Sequence, residues 1–193
     1  MNFKTERTYV MIKPDGVQKG LIGEIIKRFE QRDLKIVALE MFQPTYDEID
    51  NHYPKDETWI TRLGNKTLST YAKYNINAKD ALGVETAEEI GPMVRKWVID
   101  YMISAPLVRM VVEGGHAVDM VRKIVGPTLP SMAEIGTIRG DFSVDSPAIA
   151  NSEKRSLANI IHASETPAEA EHEIAHWFGD KTIYAYKRFG IDA

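Results

Sequence analysis

The chain has no cysteine among its 193 residues, which excludes disulfides, thiolate metal ligands and a cysteine nucleophile together. It has no basic excess either: 24 Lys plus Arg stand against 28 Asp plus Glu, for a net charge of -4. No global positive field is present to hold nucleic acid by counterion release, so a phosphorylated ligand would need a local pocket of cations. Long apolar runs are missing as well. The first such run, Tyr9 to Ile12, meets Lys13 and Pro14 after four residues, too short for a signal peptide or a membrane span. The expectation is a cytoplasmic protein that engages neither nucleic acid nor membrane. Hydrophobic residues make up 44% of the chain, enough for one domain, residues 1–193, to bury its own core.

What is there is an alternation of short strands and amphipathic helices. Thr8 to Ile12 reads as a strand, and Lys13-Pro14-Asp15-Gly16 as the loop that ends it. From Gly20 to Arg32 apolar residues recur at three- and four-residue spacing, which predicts a helix, and Leu34 to Phe42 reads as a strand. Thr45-Tyr46-Asp47-Glu48 has the capping-box form and opens a short helix through Tyr53. Residues 54–91 break this rhythm and read as an inserted, partly helical segment with a second capping-box candidate at Thr86 to Glu89. Pro92 suits the first turn of a helix running to about Ser104. Leu107 to Glu113 is a strand, and His116 to Val125 a helix closed by Gly126. Gly126 to Asp145 holds three glycines and two prolines and reads as a long ordered loop. Asn159 to Ala163 is a candidate strand, Thr166 caps a helix that stops at Gly179, and Thr182 to Tyr186 is a candidate terminal strand. The alternation argues an α/β sandwich, parallel or mixed.

Of the five histidines, His162 stands apart because it closes the apolar run Asn159-Ile160-Ile161-His162-Ala163-Ser164. A histidine so placed is ordinarily a packed, satisfied side chain. It is also where a strand end would present an imidazole, which accepts a phosphoryl group when a carboxylate holds its other nitrogen. Lys13, Arg122, Thr128 and Arg139 sit at element ends or in glycine- and proline-rich loops, where they converge or remain solvated surface groups. Neither a Walker A loop nor a kinase glycine loop is present, so a nucleotide would be held in another way.

Glu6 to Gln18 resembles the N-terminal signature of the nucleoside diphosphate kinase family, Gly136-Thr137-Ile138-Arg139-Gly140-Asp141-Phe142 its central one, and Asn159 to Ser164 its active-site segment. The likeness fails over roughly 54–91 and 143–157, read as two insertions. It implies a ferredoxin-like α/β (α+β) sandwich: a four-stranded antiparallel sheet with helices on one face. It implies transfer of the γ-phosphate of a nucleoside triphosphate to a nucleoside diphosphate by a ping-pong mechanism through a phosphohistidine. By residue, the resemblance makes His162 the nucleophile and Glu173 the acid that orients it. Lys13, Tyr53, Arg122, Thr128, Arg139 and Asn159 match positions that bind phosphates and ribose, with Lys13 and Asn159 at the sugar hydroxyl. It further implies Mg2+ carried on the nucleotide phosphates rather than caged by protein, weak base preference, and a homo-oligomer, hexamer or tetramer. The residue that stacks on the base is left open among Trp59, Val94 and Trp97.

A rival lies in His172-Glu173-Ile174-Ala175-His176, the H-E-x-x-H pattern that on a helix gives a zinc metalloprotease two ligands and a base. Its third-ligand position in the extended pattern is Thr182. A third reading is a non-catalytic nucleotide-binding module, which loss of His162 or Lys13 would favour; both are present.

Overall fold

The computed structural model describes residues 5–179 and 181–188. Its strands are β1 (Glu6–Ile12), β2 (Lys35–Phe42), β3 (Leu107–Gly114) and β4 (Ile161–Ala163), and they form one sheet in the order β2-β3-β1-β4 with every pairing antiparallel. The expected four-stranded antiparallel sheet is therefore present. In chain order the helices are α1 (Pro14–Gln18), α2 (Ile22–Glu30), α3 (Tyr46–His52), α4 (Glu57–Lys73), α5 (Ala78–Leu82), α6 (Ala87–Met102), α7 (Ala117–Val125), α8 (Ile138–Phe142), α9 (Pro147–Ser152) and α10 (Pro167–Phe178).

Strand alternation sorts side chains to two faces. Val10, Ile12, Val108, Met110 and Val112 point to the face where α2 and α7 bring Ile25, Phe29, Val121 and Val125. Tyr9, Met11 and Val111 point to the other, where α3, α6 and α10 bring Ile49, Ile99, Met102 and Trp177. The expectation of helices on one face is corrected: both faces are covered. The physical sign is in β3, all eight residues of which are buried, as a strand covered on both sides requires.

Other boundaries shift for local reasons. The Lys13 to Gly16 loop winds into α1, with Pro14 in the first turn, where its fixed φ and missing N–H carry no cost. Residues 54–91 are more helical than expected, because Asp56 and Asn77 cap α4 and α5 with their side chains. The capping box of Thr86 and Glu89 starts α6 five residues before Pro92, so Pro92 lies inside the helix instead of opening it. Gly64 and Gly91 hold α4 against α6 at backbone contact: a Cβ on Gly64 would stand 2.0 Å from the Ala87 carbonyl oxygen, and one on Gly91 2.3 Å from that of Ile60. Thr182 to Tyr186 forms no strand, although the Tyr184 N–H donates to the Val37 carbonyl at 2.8 Å.

Candidate active site

The nucleophile strand enters the site through a strained turn. Ile161 N donates to Asn159 O at 2.8 Å, closing a γ-turn about Ile160, whose φ is 69°. A β-branched residue in that region is unfavourable by about 1–3 kcal/mol unless its surroundings impose it. Here they do. Lys13 N donates to Ile160 O at 2.7 Å, and Ile160 N donates to Asp15 Oδ2 at 3.0 Å. The Tyr101 hydroxyl donates to the other oxygen of Asp15. Burial, with Asp15 alongside, pushes the Tyr101 phenol far above its ordinary value, so it stays a donor. Arg139 clamps the same turn from outside, donating to Asn159 O at 3.1 Å, Ile161 O at 2.6 Å and Gly126 O at 2.8 Å. Gly126, at φ 84°, cannot carry a side chain there, since a Cβ would meet Thr137 Oγ1 at 2.6 Å.

That turn delivers His162, about a quarter exposed, against α10. Its Nε2 lies 2.7 Å from Glu173 Oε1, and Ser164 Oγ donates to Glu173 Oε2 at 2.6 Å. Burial alone would raise the Glu173 carboxyl, but the hydrogen bonds from His162 and Ser164 and the neighbouring imidazoles hold it below the usual carboxylate range. An ionised Glu173 fixes the proton on Nε2, which leaves Nδ1 as the nitrogen with a free lone pair.

Beside His162 lies a cavity of about 170 Å³ whose walls include Lys13, Arg122, Thr128, Arg139 and Asn159. Lys13 Nζ donates to Asn159 Oδ1 at 2.8 Å, and Asn159 Nδ2 donates to Thr128 O at 3.0 Å. Burial, with Arg139 adding its charge, lowers the Lys13 ammonium to about 8 against the opposing pull of Asp15. Burial and the neighbouring Arg122 lower Arg139 to about 10. Two depressed cations are groups short of negative charge, and an anion in this cavity would restore both. Arg122 reaches Glu165 at 3.5 Å across the rim.

Lys13, Thr128 and Asn159 also line a second, larger cavity of about 720 Å³, mostly apolar, with Tyr53, Trp59, Val94, Val98 and Tyr101 on its walls. Trp59 stacks on Tyr53 with ring centroids 5.9 Å apart. Of the three residues left open for base stacking, Trp59 and Val94 line this cavity and Trp97 does not. The structure thus brings together the residues to which the resemblance gave a role: Glu173 behind His162, five side chains around the small cavity, and Tyr53 at the large one. Sequence reasoning gave no role to Asp15, Tyr101 or Ser164, although Asp15 and Ser164 lie inside quoted motifs. Their partners are 86 to 145 residues distant for Asp15, so no local pattern betrays the brace.

The zinc reading of residues 172–176 loses its base. Glu173 turns inward to His162 and Ser164, while His172 and His176 lie side by side on the exposed face of α10 with ring centroids 6.5 Å apart. Among the described residues, the group of potential metal ligands that converges is His162, Glu169 and Glu173, without either of them.

Comparison with known proteins gives the same direction. The family model for nucleoside diphosphate kinase matches residues 6–61 and 87–183. The nucleoside diphosphate kinase of Pyrobaculum aerophilum is 45% identical over 178 residues, covering 92% of this chain and 97% of the relative. That of Archaeoglobus fulgidus is 37% identical, covering 97% and 95%. The crystal structure of an NDP kinase from Pyrobaculum aerophilum superposes with a TM-score of 0.88 at 43% identity, covering 94% of this chain and all of that one. The Borrelia burgdorferi nucleoside-diphosphate kinase, solved as a transition-state mimic with vanadate and ADP, superposes with a TM-score of 0.76 at 33% identity, covering 97% and 95%. With its sequence and its fold matching over nearly the whole length, the chain belongs to the nucleoside diphosphate kinase family.

Proposed function

We propose that the chain passes the terminal phosphate of a nucleoside triphosphate to a nucleoside diphosphate in a ping-pong cycle through a phosphohistidine at His162. The observation that carries this is the Nε2 contact to Glu173 at 2.7 Å, which leaves Nδ1 free on a residue lining the cationic cavity. In the first half-reaction the Nδ1 lone pair attacks the γ-phosphorus. The bond to the bridging oxygen breaks, and its electron pair leaves on the β-phosphate of the departing diphosphate. Glu173 stabilises the positive charge that develops on the ring and keeps the Nε2 proton in place. The second half-reaction reverses these steps with a new diphosphate. Lys13 and Arg122 offset the charge of the transferring group. Arg139 contributes through what its clamp leaves: of five guanidinium N–H groups three go to carbonyls, so two remain for phosphate.

The sugar belongs between Lys13, Asn159 and Thr128, which join the two cavities, and the base in the larger one, between Tyr53, Trp59 and Val94. Mg2+ is the cation we assign, and when bound it neutralises and orients the nucleotide phosphates. Lacking a free carboxylate cage, the site suits an ion that keeps its waters and arrives on the substrate, since Glu173 is already committed to His162 and Ser164. We further propose a single domain with insertions at 54–91 and 143–157, assembled as a hexamer or tetramer in the cytoplasm. Support for assembly comes from Leu39 and Met41, half-exposed on the marginal strand β2. No helix of the described residues is long and apolar enough to cross a membrane.

Initial rates of phosphate transfer from ATP to GDP, with both varied, test the cycle. Parallel double-reciprocal lines are expected; intersecting lines mean both nucleotides bind at once and overturn the covalent route.

A further inference from the structure

We propose that Asp145 is a positioning residue for phosphate transfer: it clasps the two ends of the second insertion together and so fixes Asn159 against the nucleotide sugar. The inference rests on the nucleotide site proposed above, in which Lys13 and Asn159 meet a sugar hydroxyl. The Asn159 side chain is aimed by two contacts, from Lys13 Nζ at 2.8 Å and to the Thr128 carbonyl at 3.0 Å. On the side toward His162 its backbone is held by Arg139 and the turn at Ile160. On the other side stands Ala158, whose backbone is held by side chains far back along the chain. Its N–H donates to Asp145 Oδ2 at 2.8 Å and its carbonyl accepts from Ser143 Oγ at 3.1 Å, 13 and 15 residues upstream. The residue before Asn159 is therefore docked on the first residues of the insertion, and the segment between them adds no slack to the site.

Asp145 is buried, and each of its carboxylate oxygens takes two donors. Oδ1 accepts from the Ser146 N–H and from Arg155 Nη2, both at 3.0 Å; Oδ2 accepts from Arg155 Nη1 at 2.6 Å as well as from Ala158. The two-pronged Arg155 contact fixes the plane of the carboxylate, which an ammonium could not do. Burial would raise the Asp145 carboxyl, but Arg155 and the Ala158 N–H hold it below the usual carboxylate range, so it stays an acceptor at neutral pH. Its backbone works in the same sense. The Ser131 N–H donates to the Asp145 carbonyl at 3.2 Å, which ties down the loop bearing the Thr128 carbonyl, the acceptor of the Asn159 amide. One residue thus anchors Asn159 and the group that aims it. Without the clasp, the nucleotide would have to order Asn159 on binding, and that entropy would be lost from its affinity.

The test loads the full-length protein with phosphate from ATP, isolates the phosphoenzyme, and measures its discharge at subsaturating concentrations by GDP and by dideoxy-GDP, whose sugar lacks both ring hydroxyls. Wild-type protein is expected to discharge roughly tenfold or more faster with GDP, the effect of at least one hydrogen bond to the sugar. Asp145→Ala should slow discharge by GDP about five- to tenfold and leave discharge by dideoxy-GDP within about twofold, because only the first substrate uses Asn159. Ser143→Ala removes a single hydroxyl and leaves the ion pair of Asp145 with Arg155 in place; it should narrow the preference in the same direction, by about threefold. A merely structural role predicts that both acceptors slow in step. Discharge slowed equally with both, or with neither, in every variant that folds overturns the proposal, as does a wild type that does not distinguish the two sugars. A wild type that takes no phosphate from ATP overturns the nucleotide site itself, and is told apart because it fails before any acceptor is added.

Discussion

At the scale of single residues the account turns on the proton held between His162 and Glu173. Replacing Glu173 by Gln keeps a hydrogen-bonding side chain of the same size but removes the charge that fixes the tautomer. Phosphoenzyme formation is expected to slow by about 100-fold, measured by rapid quench, with little change in nucleotide KM. Lys13 makes a pH prediction. Its ammonium is the competent form, and burial lowers it to about 8, so kcat/KM should fall as pH rises through about 8 in the free enzyme. Bound phosphate favours the charged form, so the break in kcat belongs at higher pH. Lys13→Met should abolish the break; a break that persists there assigns it to another group. His162, Lys13 and Arg139 were legible because each sits in a short contiguous signature. Asp15 and Ser164 sit in the same signatures, yet their work is to brace other residues, and a brace is visible only once both partners have been placed.

Among the elements, the turn at Ile160 and the crossing of α4 with α6 carry the consequences. Asp15→Ala removes the acceptor of both the Ile160 N–H and the Tyr101 hydroxyl. A loss of about 2–3 kcal/mol in urea unfolding is expected, a buried donor being left unpaired in each case, with transfer activity falling alongside. Gly91→Val would force α4 away from α6, since the Ile60 carbonyl stands 2.3 Å from the new Cβ. Faster amide exchange across α4 and α6 than across β1 and β3 is the expected signature; unchanged exchange in α4 contradicts the crossing. Of the helices with side-chain caps, α3, α6 and α10 announced themselves in sequence through Thr45, Thr86 and Thr166. Pro92 misled because its preference for a first turn was read without the capping box that opens at Thr86, six residues earlier. Thr182 to Tyr186 has the composition of a strand, and only its single ladder bond to Val37 shows that composition did not suffice.

For the whole molecule, the antiparallel pairing of the strands could not be read from periodicity, because long apolar strands look alike whether their neighbours run parallel or antiparallel; the family resemblance supplied it. The second helical layer escaped for a related reason, since α3, α6 and α10 show the same amphipathic pattern whichever face they cover. Acid stability is a property at this scale. Burial, with the charge of His162 nearby, lowers His52 to about 4 against an unfolded value of 6.5. Between those values the unfolded chain binds the proton and the folded one does not, so stability falls as pH drops through that window, by on the order of 2 kcal/mol for this partly exposed ring. Thermal melts from pH 7 to pH 4 should show the decline, and it should be smaller in His52→Asn. The central claim meets its most direct test in the covalent intermediate. The protein would be incubated with ATP labelled in its terminal phosphate and Mg2+, beside His162→Gln, and then chased with unlabelled GDP. Acid-labile label on the wild-type protein that moves to GTP, and none on the variant, is the predicted result. Label retained by His162→Gln, or transfer to GDP without any labelled protein, would contradict it.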